Sequence, residues 1–206
     1  MQDERLIVFV KAPRPGTVKT RLARTLGADG ACAAYEQLVT TVLASLAPLP
    51  AVELRFTPED AGKEIHGWLR PGWKVSAQGD GDLGSRLQRA FAQAFQAGAR
   101  RVVVIGSDCP EVTPEDVREA WRQLKSCDLV VGPATDGGYW LIGLRLSRPN
   151  LFEGITWSSE MVLAETLQRA KSEGLNIQLL RILMDVDTES DWREFLASRD
   201  GAPRPG

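Results

Sequence analysis

Histidine is nearly missing from this chain, His66 being the only one in 206 residues. It stands in a polar stretch, residues 58–69, without a Ser or Cys partner, so a histidine-based triad or a His-rich metal centre has little to draw on. Cysteine is scarce as well. Cys32, Cys109 and Cys127 are odd in number and lack C-x-x-C spacing, which argues against a disulfide framework or a zinc site. No run of 18 apolar residues occurs, and the first apolar run starts at Leu6, too early for a signal peptide ahead of it. A cytoplasmic protein without membrane insertion is expected. With 25 basic and 27 acidic residues the net charge is −2, so the chain lacks the electrostatic footprint of a nucleic-acid binder. Two glycine signatures are also missing. No G-x-G-x-x-G dinucleotide fingerprint is present, and Gly16 stands three residues before Lys19 rather than directly before it, as a Walker P-loop requires.

What is present begins at the N-terminus. The run Leu6-Ile7-Val8-Phe9-Val10 reads as a strand, followed by Lys11-Ala12-Pro13-Arg14-Pro15-Gly16-Thr17-Val18-Lys19-Thr20-Arg21 as a turn and a cationic helix start. A strand that turns into a helix aims free backbone N–H groups at one spot, and Lys19 and Arg21 add positive charge where a phosphate would sit. A solvated basic helical turn is the plainer alternative, although cations at a helix N-terminus oppose the macrodipole.

Hydrophobic patterning predicts further strands at 52–56, 73–77, 102–105, 128–131, 139–144 and 177–183. Helices are predicted at 18–26, from Asp29 to the Pro48/Pro50 stop, at 58–69, from Ser85 to the Gly98 stop, from the Thr113 cap, at 158–173 and at 188–197. Alternating strands and helices over this length specify an α/β protein with three α/β/α layers and a mostly parallel open sheet. One domain over residues 1–200 is expected, with a disordered tail at 201–206. Ligands of such sheets bind at the carboxyl ends of strands.

Three more polar segments fall at predicted strand ends. In Gly106-Ser107-Asp108-Cys109-Pro110 a carboxylate follows the most apolar strand, which makes Asp108 the best single metal ligand in the chain; Mg²⁺ or Mn²⁺ prefers such oxygen donors. A turn or N-cap aspartate is the alternative. In Asp185-Val186-Asp187-Thr188 the D-x-D spacing on extended backbone sends both carboxylates to one side, which suits shared coordination, unless Asp187 caps the last helix. Asp136-Gly137-Gly138 joins two strands, either as a place where backbone approaches an acceptor or as an ordinary hairpin turn. Trp157 and Glu160 precede a helix that Ser158 is placed to cap. They are read as acceptor contacts, the indole stacking on a flat ring and the carboxylate anchoring a hydroxyl, or else as a core residue and a first-turn charge.

Taken in order, K-A-P-x-x-G-x-x-K-T-R-L at 11–22, G-D-L-G-x-R-L at 81–87, G-S-D-C-P at 106–110, G-P-x-x-D-G-G-Y at 132–139 and D-V-D-T at 185–188 resemble the nucleotide-diphospho-sugar transferase superfamily over nearly the whole chain. Within it the chain most resembles the radical-SAM/selenodomain-associated transferase branch, with more distant similarity to 2-phospholactate and molybdenum-cofactor guanylyltransferases. The resemblance implies a GT-A-like fold and a nucleotide over the N-terminal half of the sheet. It also implies a divalent metal on Asp108 and one of Asp185 and Asp187. Lys11, Ala12, Pro13, Gly16, Lys19 and Arg21 would form the phosphate loop, and Gly81, Asp82 and Gly84 the loop bordering base or sugar. The L-x-A-G-G-x-S-x-R-M-G opening of many guanylyltransferases is replaced here by a Pro-rich form.

These residues favour transfer of a nucleotidyl group from an NTP to a small phosphorylated acceptor with pyrophosphate release, in which Lys19, Arg21 and Asp108 act on charge and no protein nucleophile is needed. A glycosyltransferase using a nucleotide-diphospho-sugar would call on a carboxylate base such as Asp136 or Glu160. A nucleotide-binding protein without turnover is the third reading.

Overall fold

Among the residues that the computed structural model describes, 3–199, strand β1 (Glu4–Lys11) lies parallel to β2 (Val52–Thr57) on one side and to β4 (Arg101–Ile105) on the other. The tail expected at 201–206 lies outside the described residues. The sheet has seven strands in the order β3-β2-β1-β4-β6-β5-β7, completed by β3 (Lys74–Ala77), β5 (Leu129–Pro133), β6 (Tyr139–Leu144) and β7 (Ile177–Leu179). It is parallel except that β6 runs antiparallel to both β4 and β5. The chain proceeds outward from β1 to β3 and then returns to the far side of β1 for β4. That reversal opens a crevice between the loops leaving β1 and β4, where open α/β sheets hold their ligands. Because β6 runs backwards, its first residue, Tyr139, lies at the same end of the sheet.

Side-chain alternation builds two cores. Leu6, Val8, Val10, Val103 and Ile105 face helices α1 (Ala23–Ser45) and α4 (Pro114–Gln123), whereas Ile7, Phe9, Val102 and Val104 face α3 (Leu83–Gln96) and α5 (Val162–Ser172). Burying each such side chain contributes about 1.5–3 kcal/mol, so both layers anchor the sheet firmly. Helix α6 (Glu189–Arg199) packs Phe195 against Leu38 of α1 and Val186.

Several local expectations are corrected. Residues 18–22 form turns rather than a helix, and α1 begins at Ala23, with its ladder broken at Gly27 (φ 71°, ψ 169°), a backbone state that glycine adopts without strain. The stretch 58–69 breaks into single turns around the one-turn helix α2 (Gly62–Ile65). Helix α3 starts two residues before Ser85, and Asp82 caps it by accepting the Ser85 N–H at 2.8 Å. Ser158 is not a cap. Its φ is +64°, outside the extended region a capping residue needs, and α5 starts only after Met161. Strand β7 stops at Leu179, with Leu183 touching the sheet again in a single bridge to Ala134. The Thr113 cap is present as a reciprocal box with Asp116, with Pro114 in the first turn.

Candidate active site

The loops leaving β1, β3 and β4, the start of β6 and the 183–188 segment surround a cleft of about 660 Å³. At its centre the Lys19 ammonium lies 2.7 Å from Asp108 Oδ1 and 2.8 Å from Asp187 Oδ1. The Lys19 side chain is only 4% exposed, while those of Asp108 and Asp187 are 44% and 37% exposed on the cleft side. Burial alone would lower the Lys19 pKa, but the two carboxylates outweigh it and hold the group well above the ordinary lysine value, as an ammonium. Arg21 Nη1 approaches Asp187 Oδ2 at 3.7 Å and is largely exposed. The turn carrying these cations is strained, since Lys19 has φ +47° and is not a glycine.

A buried hydroxyl ties the two walls of the crevice together. The Lys11 N–H, at the end of β1, donates to Tyr35 Oη at 2.7 Å, and that oxygen is 3.1 Å from Ser107 Oγ beside Asp108. Burial pushes the Tyr35 phenol well above its usual pKa, so it stays protonated. Arg14 points away from the cleft to Asp60 and Glu64, and Ala12 is buried. Lys11, Lys19 and Arg21 thus line the cleft, whereas Ala12, Pro13 and Gly16 shape its loop without lining it.

The two later aspartates part company. Residues 184–187 are not a ladder strand, and Asp185 turns inward, where Cys109 Sγ donates to its Oδ1 at 2.5 Å. Burial, with Asp136 and Asp108 nearby, pushes Asp185 up to about 6, and burial likewise raises the Cys109 thiol well above its ordinary value. The two D-x-D carboxylates thus hold different partners, Cys109 for Asp185 and Lys19 for Asp187. Thr188 rather than Asp187 makes the capping contact, its Oγ1 accepting the Asp191 N–H at 3.4 Å, while Asp191 accepts the Asp187 and Thr188 N–H groups at 3.0 and 2.7 Å. The Val186 N–H donates to the Asp108 carbonyl at 3.0 Å, which fixes Asp187 against the β4 exit.

For a divalent cation the donor set fits in part. Asp108 Oδ1 and Asp187 Oδ1 converge on a single atom, so two hard oxygen donors, on side chains partly exposed to the cleft, meet at one point. Asp185 does not join them. No group of three His, Cys, Asp or Glu side chains among the described residues is arranged to hold a metal ion, so any further ligands would have to come from substrate phosphates and water.

Along the other flank, Gly81, Asp82 and Arg86 line the cleft. Arg86 Nε donates to the Gly81 carbonyl at 2.9 Å and its Nη1 reaches Gln78 Oε1 at 3.3 Å, while Gln78 Nε2 donates to the Val10 and Arg55 carbonyls. Gly84 does not face the cleft. A Cβ there would lie 2.8 Å from the Phe152 carbonyl oxygen and from Trp157 Nε1, so its smallness lets α3 pack on residues 152–157. Trp157, partly buried, packs against the core on this side of the sheet.

The expected acceptor residues are also relocated. Asp136 Oδ1 accepts the Gly138 N–H at 2.8 Å as a turn, and Gly137 (φ +88°) lies so close to Glu160 that a Cβ would stand 2.2 Å from its carbonyl oxygen. Gly137 therefore serves loop-on-loop packing, and Asp136, Gly137, Gly138, Trp157 and Glu160 do not line the cleft. On that side it is lined instead by Tyr139, Trp140 and Ser158. Sequence reasoning missed these three together with Tyr35, Gln78, Ser107 and Arg86. Ser107, Tyr139 and Arg86 had a signal, each standing inside a motif quoted above, G-S-D-C-P, G-P-x-x-D-G-G-Y and G-D-L-G-x-R-L.

Known proteins bear on this arrangement. A crystal structure of a candidate nucleotide-diphospho-sugar transferase from Desulfovibrio desulfuricans G20 is 37% identical, covering 97% of this chain and 88% of that one with a TM-score of 0.90. Among curated proteins, the phosphoenolpyruvate guanylyltransferase of Chloroflexus aggregans is 31% identical over 122 residues, 57% of this chain and 58% of its own. The 2-phospho-L-lactate guanylyltransferase of Methanothermobacter thermautotrophicus is 26% identical over 62% of this chain and 56% of its own. The matches thus span under two thirds of those relatives. Rv0371C of Mycobacterium tuberculosis H37Rv, solved as a complex with manganese, shares the fold at 18% identity, with 96% of this chain and 100% of that one covered and a TM-score of 0.60. The expected fold is the observed one. No helix among the described residues is long and apolar enough to cross a membrane. A family profile matches residues 41–159, more than half of the sequence, and the chain therefore belongs to DUF2064, described as an uncharacterized protein conserved in bacteria.

Proposed function

We propose that this protein is a metal-dependent nucleotidyltransferase that moves a nucleotidyl group from an NTP to a small phosphorylated acceptor and releases pyrophosphate, acting as one domain in the cytoplasm. The observation that carries this reading is the charge arrangement of the cleft. Four cations, Lys11, Lys19, Arg21 and Arg86, line it against three carboxylates, Asp82, Asp108 and Asp187, and on the acceptor side the lining residues Tyr139, Trp140 and Ser158 are uncharged. A triphosphate needs that positive charge. Glycosyl transfer would want a carboxylate base near the acceptor hydroxyl, and neither Asp136 nor Glu160 lines the cleft.

In this reading Asp108 and Asp187 hold Mg²⁺ or Mn²⁺, which when bound supplies Lewis-acid neutralisation of phosphate charge. Lys19 and Arg21 pair with the triphosphate and balance the negative charge that grows on the departing pyrophosphate. An acceptor phosphate oxygen attacks the α-phosphorus as the bond to the bridging oxygen breaks, and because that phosphate is already anionic no protein base is required. Gln78, Gly81 and Arg86 border the nucleotide, and Tyr139, Trp140 and Ser158 border the acceptor. The names of the two curated guanylyltransferases support GTP as donor and a phosphorylated carboxylic acid as acceptor. The manganese complex of a fold neighbour supports a divalent metal.

The test is pyrophosphate release from each of the four NTPs with Mg²⁺ or Mn²⁺, using phosphoenolpyruvate and 2-phospho-L-lactate as acceptors, beside nucleoside diphosphate release from UDP-, GDP- and dTDP-sugars. Acceptor-dependent pyrophosphate release that vanishes in Asp108→Asn is the expected outcome. Release of nucleoside diphosphate from a sugar nucleotide would assign glycosyl transfer instead.

A further inference from the structure

Asp108 and Asp187 each place Oδ1 within 2.8 Å of the same nitrogen, and that nitrogen belongs to the chain itself. Lys19 therefore occupies the point where two hard oxygen donors converge. We infer that Lys19 is an exchangeable internal cation: in the empty cleft its ammonium holds the two carboxylates, and a divalent ion gains them only when phosphate draws the ammonium away. The inference rests on the reading of Asp108 and Asp187 as metal ligands given above, and it adds an order of events to it.

Charge balance points the same way. Lys19 and Arg21 against Asp108 and Asp187 sum to zero, so a divalent ion entering alone would leave this four-residue cluster at +2. An ion carried on a triphosphate brings its own anion, and the phosphate oxygens offer Lys19 and Arg21 new partners as the carboxylates are released. The geometry permits such an exchange. Lys19 arises from the loop that forms the phosphate wall, so rotation of its flexible four-carbon stem moves the charge without moving the sheet. The carboxylates are the exposed members of the cluster and the ammonium is the buried one, so ions and phosphates reach the acids from the open side. The backbone at Lys19 supports a dedicated placement as well. Its left-handed φ of +47° is rare for a residue with a side chain, and the turn is held by the Ala23 N–H donating to the Lys19 carbonyl at 2.9 Å.

The test is Mn²⁺ binding without nucleotide, followed by loss of the free-ion signal in electron paramagnetic resonance, on the whole protein and on variants checked for native circular dichroism. Lys19→Met removes the competing charge at similar length and should tighten Mn²⁺ binding by roughly tenfold or more, the order expected when a unit charge is removed at contact distance from a partly solvated site. Lys19→Gln is the second neutral variant and should show the same gain. Lys19→Arg keeps the charge and should bind Mn²⁺ as weakly as the parent. In the double variant Lys19→Met with Asp108→Asn the gain should disappear. If both neutral variants bind Mn²⁺ no tighter than the parent, the exchange is overturned, and Asp108→Asn alone then tests the metal ligands. If the double variant keeps the full gain, the metal lies elsewhere, and the ligand assignment falls together with the exchange.

Discussion

Replacing Tyr35 by Phe tests whether the crevice is held together by a single hydroxyl. Tyr35 is 3% exposed, and its oxygen accepts the Lys11 N–H at 2.7 Å while lying 3.1 Å from Ser107 Oγ. The Phe ring fills the same space, so no cavity forms and the packing against Trp68 remains. What is lost is the acceptor for the Lys11 N–H and a partner for Ser107. Leaving one such group unsatisfied costs about 1–3 kcal/mol, with part recovered because the phenol no longer has to be desolvated, so a net loss of about 1–2 kcal/mol is expected. For a chain of this size that lowers the melting temperature by about 2–8 °C. Thermal unfolding followed by circular dichroism measures it directly. Ser107→Ala should cost less, because Tyr35 would still accept from Lys11, and the two changes together should fall short of their sum, since they share one interaction. A Tyr35→Phe melting temperature within about 1 °C of the parent would refute the reasoning, as would strict additivity with Ser107→Ala.

Gly137→Ala puts a Cβ 2.2 Å from the Glu160 carbonyl oxygen at a φ of +88°, so it should destabilise the fold by about 2 kcal/mol or more; an unchanged urea midpoint would show that the two loops part easily. Asp116 is held below its ordinary pKa: burial pushes it up, but hydrogen bonds from Arg181 and Thr113 prevail. Its folded pKa lies below the unfolded one, so its contribution is present above about pH 4 and is lost as pH falls through the folded value. Asp116→Asn should therefore narrow its stability gap to the parent as pH drops from 5 to 3, and a gap that stays constant over that range would count against the assignment.

The sheet was legible because its signals are local. Apolar runs such as 102–105 read as buried strands whatever their neighbours, and a polar segment after such a run falls at the ligand end of a parallel sheet. Lys19, Arg21, Asp108 and Asp187 were reachable on that ground. Tyr35 was not, for it sits mid-helix among Leu38, Val39 and Val42 and reads as one more core residue; its partners lie 24 and 72 residues away. Gly137 was read as an opening for a ligand because a sequence announces that something approaches a glycine closely without naming it, and here the visitor is Glu160; Gly84, placed beside the ligand by the resemblance, is met by Phe152 and Trp157. The partners of the D-x-D pair were out of reach for a related reason: they come from distant segments, the Cys109 thiol taking Asp185 and the Lys19 ammonium taking Asp187.

The reversed direction of β6 has a consequence for how this cleft can change over evolutionary time. Its nucleotide side is made of segments that leave strands, and such loops accept insertions with little effect on the sheet behind them. Its other side is floored by Tyr139 and Trp140, which are rungs of a strand paired on both edges, with β4 from Leu141 onward and with β5 from Tyr139. Adding one residue there would turn every following side chain of β6 to the opposite face. A new donor can be accommodated by lengthening a loop, but a new acceptor has to be met by exchanging side chains at fixed positions.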